Sequence, residues 1–383
     1  MTMWRIALLM LVGDRMKYIA LVAGVAFASL LVTQQASIFS GYSRTTGSWI
    51  RDTAVADLWV IDPQVRFADD IKPMNDTTLN RVRGIAGVQW AVPMYKGYLK
   101  ARLPDGTIEQ VRVVGLDDAT LMGGPPTMLS GELKDLRRDR AVLVRRSDLT
   151  DGLKMQTRPE ILGVGDRLSL NDNEVEIVGE YASTPEFFWE PVIYTTYSRA
   201  LSLAPRERKL LTYILVKVAP GADVREVQTG IATATGMDAL TGAQFEKRTV
   251  DYIVAKTGIL VNFGITIMLG FVIGVLVAGQ TFYSFVLDNI RHFGALKAMG
   301  TSNWTVMRML VLQVLVVGLL GFGIGAGAAA LTGLAFSSVG LAFYMRWEIP
   351  VFGGLAVIGC CLAAGMLGMV RVLTLEPAVV FKS

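Results

Sequence analysis

Residues suited to molecular recognition are concentrated in residues 288–301, a short polar segment between two long apolar runs. Within it, Phe293, Leu296 and Met299 recur at i, i+3 and i+6, which on a helix would form one apolar strip. Cationic side chains lie beside this strip, and a glycine follows it as a helix stop. The pattern predicts docking onto a protein partner. The candidate contact residues are Arg291, His292, Phe293, Gly294, Leu296, Lys297, Met299 and Gly300.

Motifs of catalysis are missing from the sequence. There is no G-x-x-x-x-G-K-[ST] loop to hold phosphates, no H-E-x-x-H and no G-x-S-x-G. The glycine-rich stretch 318–327 contains no lysine and lies inside an apolar run. His292 is the only histidine, and Cys360 and Cys361 are adjacent within an apolar run, which favours inert packing over a disulfide or a metal site. We predict no catalytic, cofactor or metal site, so any energy must come from another chain.

The composition is that of a membrane protein. Of 383 residues, 52% are hydrophobic and only 18% are charged, and the mean hydropathy is +0.44. An ordinary soluble protein of this length is less apolar. The net charge of +4 is small, and it argues against nucleic acid as a partner, because nucleic-acid binding requires clustered positive charge.

Four apolar stretches are long enough to cross a bilayer, which needs about 20 residues. We predict spans at 18–40, 256–285, 309–338 and 351–371. The parts outside them are an N-terminal interfacial helix, a connector between spans two and three, a short loop and a C-terminal tail. These parts are residues 1–17, 286–308, 339–350 and 372–383.

The basic residues near the span ends predict the orientation. Nearly all of them fall on one side of the four-span arrangement, and only Arg346 falls on the other. The positive-inside rule therefore places both termini and the connector in the cytoplasm. The predicted fold is four transmembrane α-helices with a large extracytoplasmic α+β domain, residues 41–255, inserted between the first and second helices.

Residues 41–255 alternate between strand and helix patterns. Period-two patterning predicts strands at 58–61, 110–114, 141–144, 174–178 and 212–218. Capping signals predict helices at 76–83 and 220–235. The Gly-Pro-rich segment 123–136 is loop-like and predicts a division of the domain into two lobes. The apolar segment 187–191 is either core or a contact surface for a partner or a lipidic substrate.

Pairs of glycines spaced by four residues occur in two of the predicted spans. Gly270 and Gly274 share one face of the second span, as do Gly321 and Gly325 in the third. A third pair, Gly323 with Gly327, overlaps the latter. Such spacing favours close helix packing within the bundle or across a dimer interface. The alternative is that glycine is simply common in membrane helices.

Two motifs resemble a known family. The segment Arg291–Thr301, Arg-His-Phe-Gly-Ala-Leu-Lys-Ala-Met-Gly-Thr, resembles the segment after the second span in MacB/FtsX-type ABC transporter permeases, most closely the DevC branch. The C-terminal 375–381, Leu-Glu-Pro-Ala-Val-Val-Phe, resembles that family's closing motif. Gln313 departs from the pattern, since many relatives carry glutamate there.

The resemblance implies a mechanism. The chain would sit in the bacterial inner membrane as a homodimer, in contact with membrane lipid, and ATP would be bound by a dimer of separate ATPase subunits. The connector would couple to the ATPase, and the spans would transmit the resulting motion to the periplasmic domain. A periplasmic adaptor and an outer-membrane channel would complete an export system.

Two other functions within the same family stay open. One is lipoprotein extraction, as in LolC-type permeases, which a periplasmic hook loop would favour. The other is FtsX-type signalling, in which the outer domain activates a cell-wall hydrolase. A domain of about 210 residues has full globular size, and it looks larger than FtsX relatives usually carry.

Overall fold

The structure is a computed structural model that describes residues 3–53, 55–156, 161–205, 211–337 and 342–373. The chain forms two compact units. We call Ser43–Lys256 the sheet domain, and the remainder, Met1–Tyr42 with Thr257–Ser383, the helical unit. The sheet domain had been predicted between residues 41 and 255.

The helices, in chain order, are α1 (Met3–Gly13), α2 (Arg15–Thr46), α3 (Ser48–Asp52), α4 (Thr77–Arg83), α5 (Arg146–Thr150), α6 (Tyr197–Leu203), α7 (Val224–Thr235), α8 (Gly242–Lys256), α9 (Ile259–Asp288), α10 (Ile290–Ala298), α11 (Asn303–Ser337) and α12 (Glu348–Leu373). The strands are β1 (Leu58–Ile61), β2 (Val88–Arg102), β3 (Ile108–Leu116), β4 (Thr127–Ser130), β5 (Ala141–Arg145), β6 (Arg167–Leu170), β7 (Asn173–Ala182), β8 (Val192–Thr196), β9 (Tyr213–Val218) and β10 (Asp238–Thr241).

Within the described residues, three helices are long and apolar enough to cross a membrane: α2, α9 and α11. An 18-residue stretch in each has a mean hydropathy of 1.8, 2.5 and 2.3 respectively, which suits the interior of a bilayer. The helix α12 is apolar too, but the described apolar stretch, Glu348–Ala363, is shorter than a membrane span. The fourth span therefore stays a prediction. The closing motif, 375–381, lies outside the described residues.

The helices on either side of the connector extend into the segment 286–308. The helix α9 continues to Asp288, and α11 begins at Asn303. The Ser302 hydroxyl oxygen accepts a hydrogen bond from the Thr305 amide at 3.3 Å, which caps the start of α11. Hydropathy does not show where this helix begins, because the first turns of α11 are polar although they are helical.

The sheet domain is built on one mixed sheet of ten strands. Its strand order is β10-β1-β9-β2-β3-β8-β5-β7-β4, and β6 pairs with β2 and β7. The pairs β3–β8 and β5–β7 are parallel, whereas the other pairs are antiparallel. Helices and strands are interspersed along the chain, so the predicted α+β class is confirmed.

The segment 123–136 is not the loop that was predicted, whereas the division of the domain into two lobes stays a prediction. This segment contains β4, which pairs with β7 at the edge of the continuous sheet. It also contains a short 3₁₀ helix, Leu133–Arg137, whose Leu136 is buried in the domain core. Glycines and prolines mark backbone turns, and here the turns lead to an edge strand of the same sheet.

Local signals located the two predicted helices well. The helix α7 has Asp223 as its N-cap, and the Asp223 carboxylate accepts a hydrogen bond from the Arg225 amide at 2.9 Å. It ends at Gly236, whose φ of +72° suits glycine. The five predicted strands correspond to β1, β3, β5, β7 and β9. The longest strand, β2, was missed, because its lysines and proline weaken the apolar alternation.

Candidate coupling site

The predicted docking segment forms α10, a nine-residue helix between α9 and α11. It ends at Ala298, and Gly300, two residues further along, has a φ of +88°. The Thr301 amide donates to the Leu296 carbonyl at 3.1 Å, and the Gly300 amide donates to the Lys297 carbonyl at 3.0 Å. These bonds close the helix end and reverse the chain toward α11, and the left-handed backbone explains the glycine.

The predicted apolar strip is not one exposed face. Phe293 is 0% and Leu296 is 9% exposed, whereas Met299 is 74% exposed. Met299 follows the last helical residue, so the turn directs it away from the other two. The interpretation of all three as one docking strip is therefore corrected: Phe293 and Leu296 are buried inside the protein. A role in coupling remains a prediction for every residue of the segment.

The two buried residues belong to different apolar clusters of the helical unit. Phe293 is part of a cluster that includes Leu11 of α1, Phe285 of α9 and Val306 of α11. Leu296 packs in a smaller cluster with Ala7 of α1 and Met309 of α11. Gly294 is buried as well. One side of α10 is thus fixed to three neighbouring helices by burial of apolar surface.

The opposite side of the connector is exposed and cationic. Arg291 and His292 are exposed at the start of α10, and Met299 and Gly300 are exposed at its end. Lys297 is half-buried. Of the described residues of α10, those on this side are the ones accessible to a partner.

The first turns of α11 extend the exposed surface with two residues that the sequence analysis did not single out. Trp304 is exposed, and the Arg308 guanidinium carbon lies 5.2 Å from the centre of its ring. This distance is that of a cation–π contact, which holds a large flat apolar group beside a positive charge. The signal in the sequence was a tryptophan four residues before an arginine, at helical spacing, directly after the glycine stop.

The spaced glycines lie against the first span of the same chain. A Cβ atom added at Gly274 would lie 2.5 Å from the Ala28 Cβ atom, and one added at Gly321 would lie 2.6 Å from Val25 Cγ1. At Gly270 the nearest atom would be Leu31 Cβ, at 3.1 Å. Both α9 and α11 therefore approach α2 where only glycine fits.

The pair Gly321 and Gly325 differs from the overlapping pair Gly323 and Gly327. A Cβ atom at Gly325 would lie 2.6 Å from Ser29 Cβ and would also overlap the backbone of α2. At Gly323 and Gly327 it would meet nothing within 4 Å in the described residues. The close contact thus involves one face of α11 only.

Gln313 is a fully buried amide of α11. Its Nε2 atom donates a hydrogen bond to the Ala7 carbonyl of α1 at 2.7 Å. Its Oε1 atom has no hydrogen-bond partner in the described part of the chain. Asn262 and Gln280, by contrast, are exposed on α9.

The sheet domain contains a buried charge cluster that we had not predicted. Lys96 Nζ lies 2.8 Å and Arg112 Nη1 lies 3.4 Å from Asp69 Oδ1, and Arg112 also pairs with Glu186. Lys96 and Arg112 are almost inaccessible. Burial on its own would raise the pKa of the Asp69 carboxyl, but the two cations outweigh it and lower the pKa. The cluster holds two positive and two negative groups, and buried charges are tolerated when each has a partner of opposite sign.

The same arginine holds the apolar segment 187–191. Its Nη2 atom donates to the Phe188 carbonyl at 2.9 Å and to the Glu190 carbonyl at 3.0 Å. Trp189, between them, is 84% exposed, and the two phenylalanines are half-buried. Of the two interpretations of this segment, an exposed surface fits its tryptophan better than core does. A contact with a particular partner remains a prediction.

Comparison with known protein families gives a match for both parts of the chain. Residues 19–234, more than half of the chain, match the family described as MacB-like periplasmic core domain. Residues 263–377 match the FtsX-like permease C-terminal family. The chain therefore combines apolar helices with an α+β domain of the MacB type. It belongs to the MacB/FtsX-type family of ABC transporter permeases.

Relatives among curated proteins agree with this assignment. An uncharacterized ABC transporter permease of Mycobacterium tuberculosis, Rv0072, is 28% identical over 227 residues, which cover 57% of this chain and 58% of that protein. An uncharacterized ABC transporter permease of Mycobacterium bovis, Mb2592, is 24% identical over 223 residues, with the same two shares. The chain thus matches a little over half the length of these relatives.

Solved structures show only distant likeness. The extracellular domain of the noncanonic ABC-type transporter YknZ from Gram-positive bacteria covers 49% of this chain and 99% of its own, with 12% identity and a TM-score of 0.35. The periplasmic region of MacB from Actinobacillus actinomycetemcomitans covers 53% of this chain and 95% of its own, with 13% identity and a TM-score of 0.37. Scores this low decide nothing further about this chain.

Proposed function

We propose that this chain is the membrane subunit of an ABC exporter and relays the motion of a separate ATPase, through the connector and spans, to the sheet domain. The observation that carries the proposal is the two-sided connector. Its exposed side presents Arg291, His292 and Met299, whereas its other side buries Phe293 and Leu296 among neighbouring helices. A partner that moves the exposed side must therefore displace the helices packed beneath it.

The packing of the spans supports this relay. The helices α9 and α11 both approach α2 closely, at Gly274 and at Gly321. Closely packed helices move as bodies, because protein interiors respond to strain by shifting between packed arrangements rather than by gradual deformation. The helices α2 and α9 are the two that the chain joins to the sheet domain. Motion of the connector would thus reach both of them.

The assembly follows from the family and is part of the proposal. An ABC transporter permease implies an ATPase partner, and none of the sequence motifs for binding ATP occurs in this chain. We propose that the chain acts as a homodimer in the inner membrane, with both termini and the connector in the cytoplasm and the sheet domain in the periplasm. The sheet domain would dock a periplasmic adaptor that leads to an outer-membrane channel.

Met299→Asp is expected to weaken binding of the ATPase about tenfold or more, because it places a negative charge amid the cationic exposed side and removes an apolar contact. Since Met299 is 74% exposed, the fold should tolerate the change. The measurement is ATP hydrolysis that co-elutes with the affinity-tagged permease in detergent, together with the yield of membrane-inserted chain.

Ile108→Asp provides the matched control, because Ile108 is an exposed apolar residue of the sheet domain. It should leave the co-eluting activity unchanged. Equal activity for wild type and Met299→Asp, at equal insertion, would reject the connector as the ATPase contact. Purification of the whole assembly also separates export from signalling: a retained adaptor supports export, whereas a retained cell-wall hydrolase supports an FtsX-like function.

A further inference from the structure

We infer that α1 is a positioning element for the connector, and that the buried Gln313 amide fastens it to α11. The inference rests on the proposed function, because it assigns α1 a part in presenting the connector to the ATPase. The helix α1 had been predicted only as a segment lying at the membrane surface. In the structure it contacts α11 and shares apolar clusters with both buried residues of the connector.

The Gln313 side chain is the polar part of this arrangement. It is fully buried, and its Nε2 atom donates to the Ala7 carbonyl at 2.7 Å, across 306 positions of sequence. A buried amide is costly to place in an apolar bundle unless it forms hydrogen bonds. The bond to Ala7 gives this amide a directional link to one carbonyl of α1, so the link fixes the position of α1 along α11.

Apolar packing carries the link from α1 to the connector. Ala7, which is fully buried, forms one small cluster with Leu296 of the connector and Met309 of α11. One turn further along α1, Leu11 belongs to the cluster that buries Phe293. The two connector residues that face inward therefore both rest in clusters that α1 helps to form.

Ion pairs connect the C-terminal end of α1 to the start of the connector. Lys17, in the first turn of α2, forms an ion pair with Asp288, the last residue of α9. The Asp14 carboxylate, in the single residue between α1 and α2, lies 3.5 Å from the same Lys17 amine. These groups are substantially exposed, so the pair contributes little energy. It does bring the start of α2 beside the point where the connector begins.

Together these contacts place α1 beneath the connector. The exposed side of α10 meets the partner, and the opposite side rests on α1 and α11. Without the link from Gln313 to Ala7, α1 is free to shift along α11, and Leu296 loses a fixed support. The orientation of the exposed cationic side then becomes variable, and productive contact with the ATPase is lost while the spans stay inserted.

The decisive measurement is the distance between spin labels on α1 and the connector, recorded in the full chain in detergent. Leu9 and Met299 are exposed and accept labels through Leu9→Cys and Met299→Cys, in a background with Cys360→Ala and Cys361→Ala. The informative variant is Gln313→Met, which keeps the length of the side chain and removes the donor. The control is Leu320→Met on the exposed side of α11.

We expect one narrow distance distribution in the labelled parent and in the Leu320→Met control, and a broadened or shifted one in Gln313→Met. Gln313→Leu, which also lacks a donor, should behave as Gln313→Met does. In the unlabelled protein, Gln313→Met should lower co-eluting ATP hydrolysis about tenfold at unchanged insertion. The thermal unfolding temperature of each variant shows whether a change in the label distance occurs without a change in global stability.

An unchanged distance distribution in both Gln313 variants would overturn the inference. The inference would also be overturned if the distance distribution broadened only in proportion to the loss of thermal stability, and if Leu320→Met followed the same proportion. The proposed function has its own failure, which is undiminished ATPase co-elution in Met299→Asp. Because the distance measurement needs no partner, it decides the role of α1 whichever way the co-elution result falls.

Discussion

Gly325→Val is expected to separate α11 from α2 and to destabilise the helical unit by about 3 kcal/mol or more, the upper range for overpacking a close contact. The added carbon atoms would overlap the Ala26 carbonyl and lie 2.8 Å from the Leu30 amide nitrogen, both on the backbone of α2. A backbone cannot rotate away as a side chain does. The hydrogen bond from the Ser29 hydroxyl to the Phe322 carbonyl, 3.2 Å long, would be lost as well.

The same helix offers matched controls. A Cβ atom at Gly323 or Gly327 would meet nothing within 4 Å in the described residues, so Gly323→Val and Gly327→Val should leave stability almost unchanged. Recovery of monodisperse protein after heating in detergent, followed by size-exclusion chromatography, measures the difference. If all three variants lost stability equally, the cause would be valine in a membrane helix rather than the contact with α2.

Arg112→Leu should have the second largest effect, a loss of about 3 kcal/mol from the sheet domain, since it leaves buried carboxylates without their cation. Glu186 loses its arginine, Asp69 keeps only Lys96, and two carbonyls of the segment 187–191 lose their donor. Hydrogen exchange of the β3 and β8 amides in the full chain measures this loss. Arg167→Leu is the control, because its ion pairs with Glu174 and Glu176 are exposed and contribute little.

The Arg112→Leu deficit should depend on pH with a defined sign. In the wild type the folded-state pKa of Asp69 is lowered, so its stabilisation is present above the unfolded value of about 3.9 and is lost as pH falls through the folded value. In the variant, Asp69 keeps only one of its two cations, so its pKa lies higher than in the wild type and protonation relieves the buried charge at a higher pH. The deficit should therefore shrink as the pH falls toward the unfolded value of about 3.9. A constant deficit would point to lost packing alone.

Much of the fold was predictable because its signals are local. Apolar runs of span length located α2, α9 and α11, and period-two alternation located β1, β3, β5, β7 and β9. The cap at Asp223 and the stop at Gly300 were predictable for the same reason, since each depends on neighbouring residues only. The segment 123–136 was mispredicted as a loop, because its glycines and prolines mask the short edge strand β4.

By itself the sequence determined the class of protein, the α+β type of its large domain and the position of the connector, since hydropathy, alternation and motifs can be read without coordinates. Only the tertiary structure decided that Phe293 and Leu296 face inward while Met299 faces outward. It also decided that Gln313 holds α1, and that Arg112 sits beneath an exposed tryptophan. The physical reason is that burial and hydrogen bonding at these sites depend on atoms many tens to hundreds of residues away, whose approach no local pattern encodes.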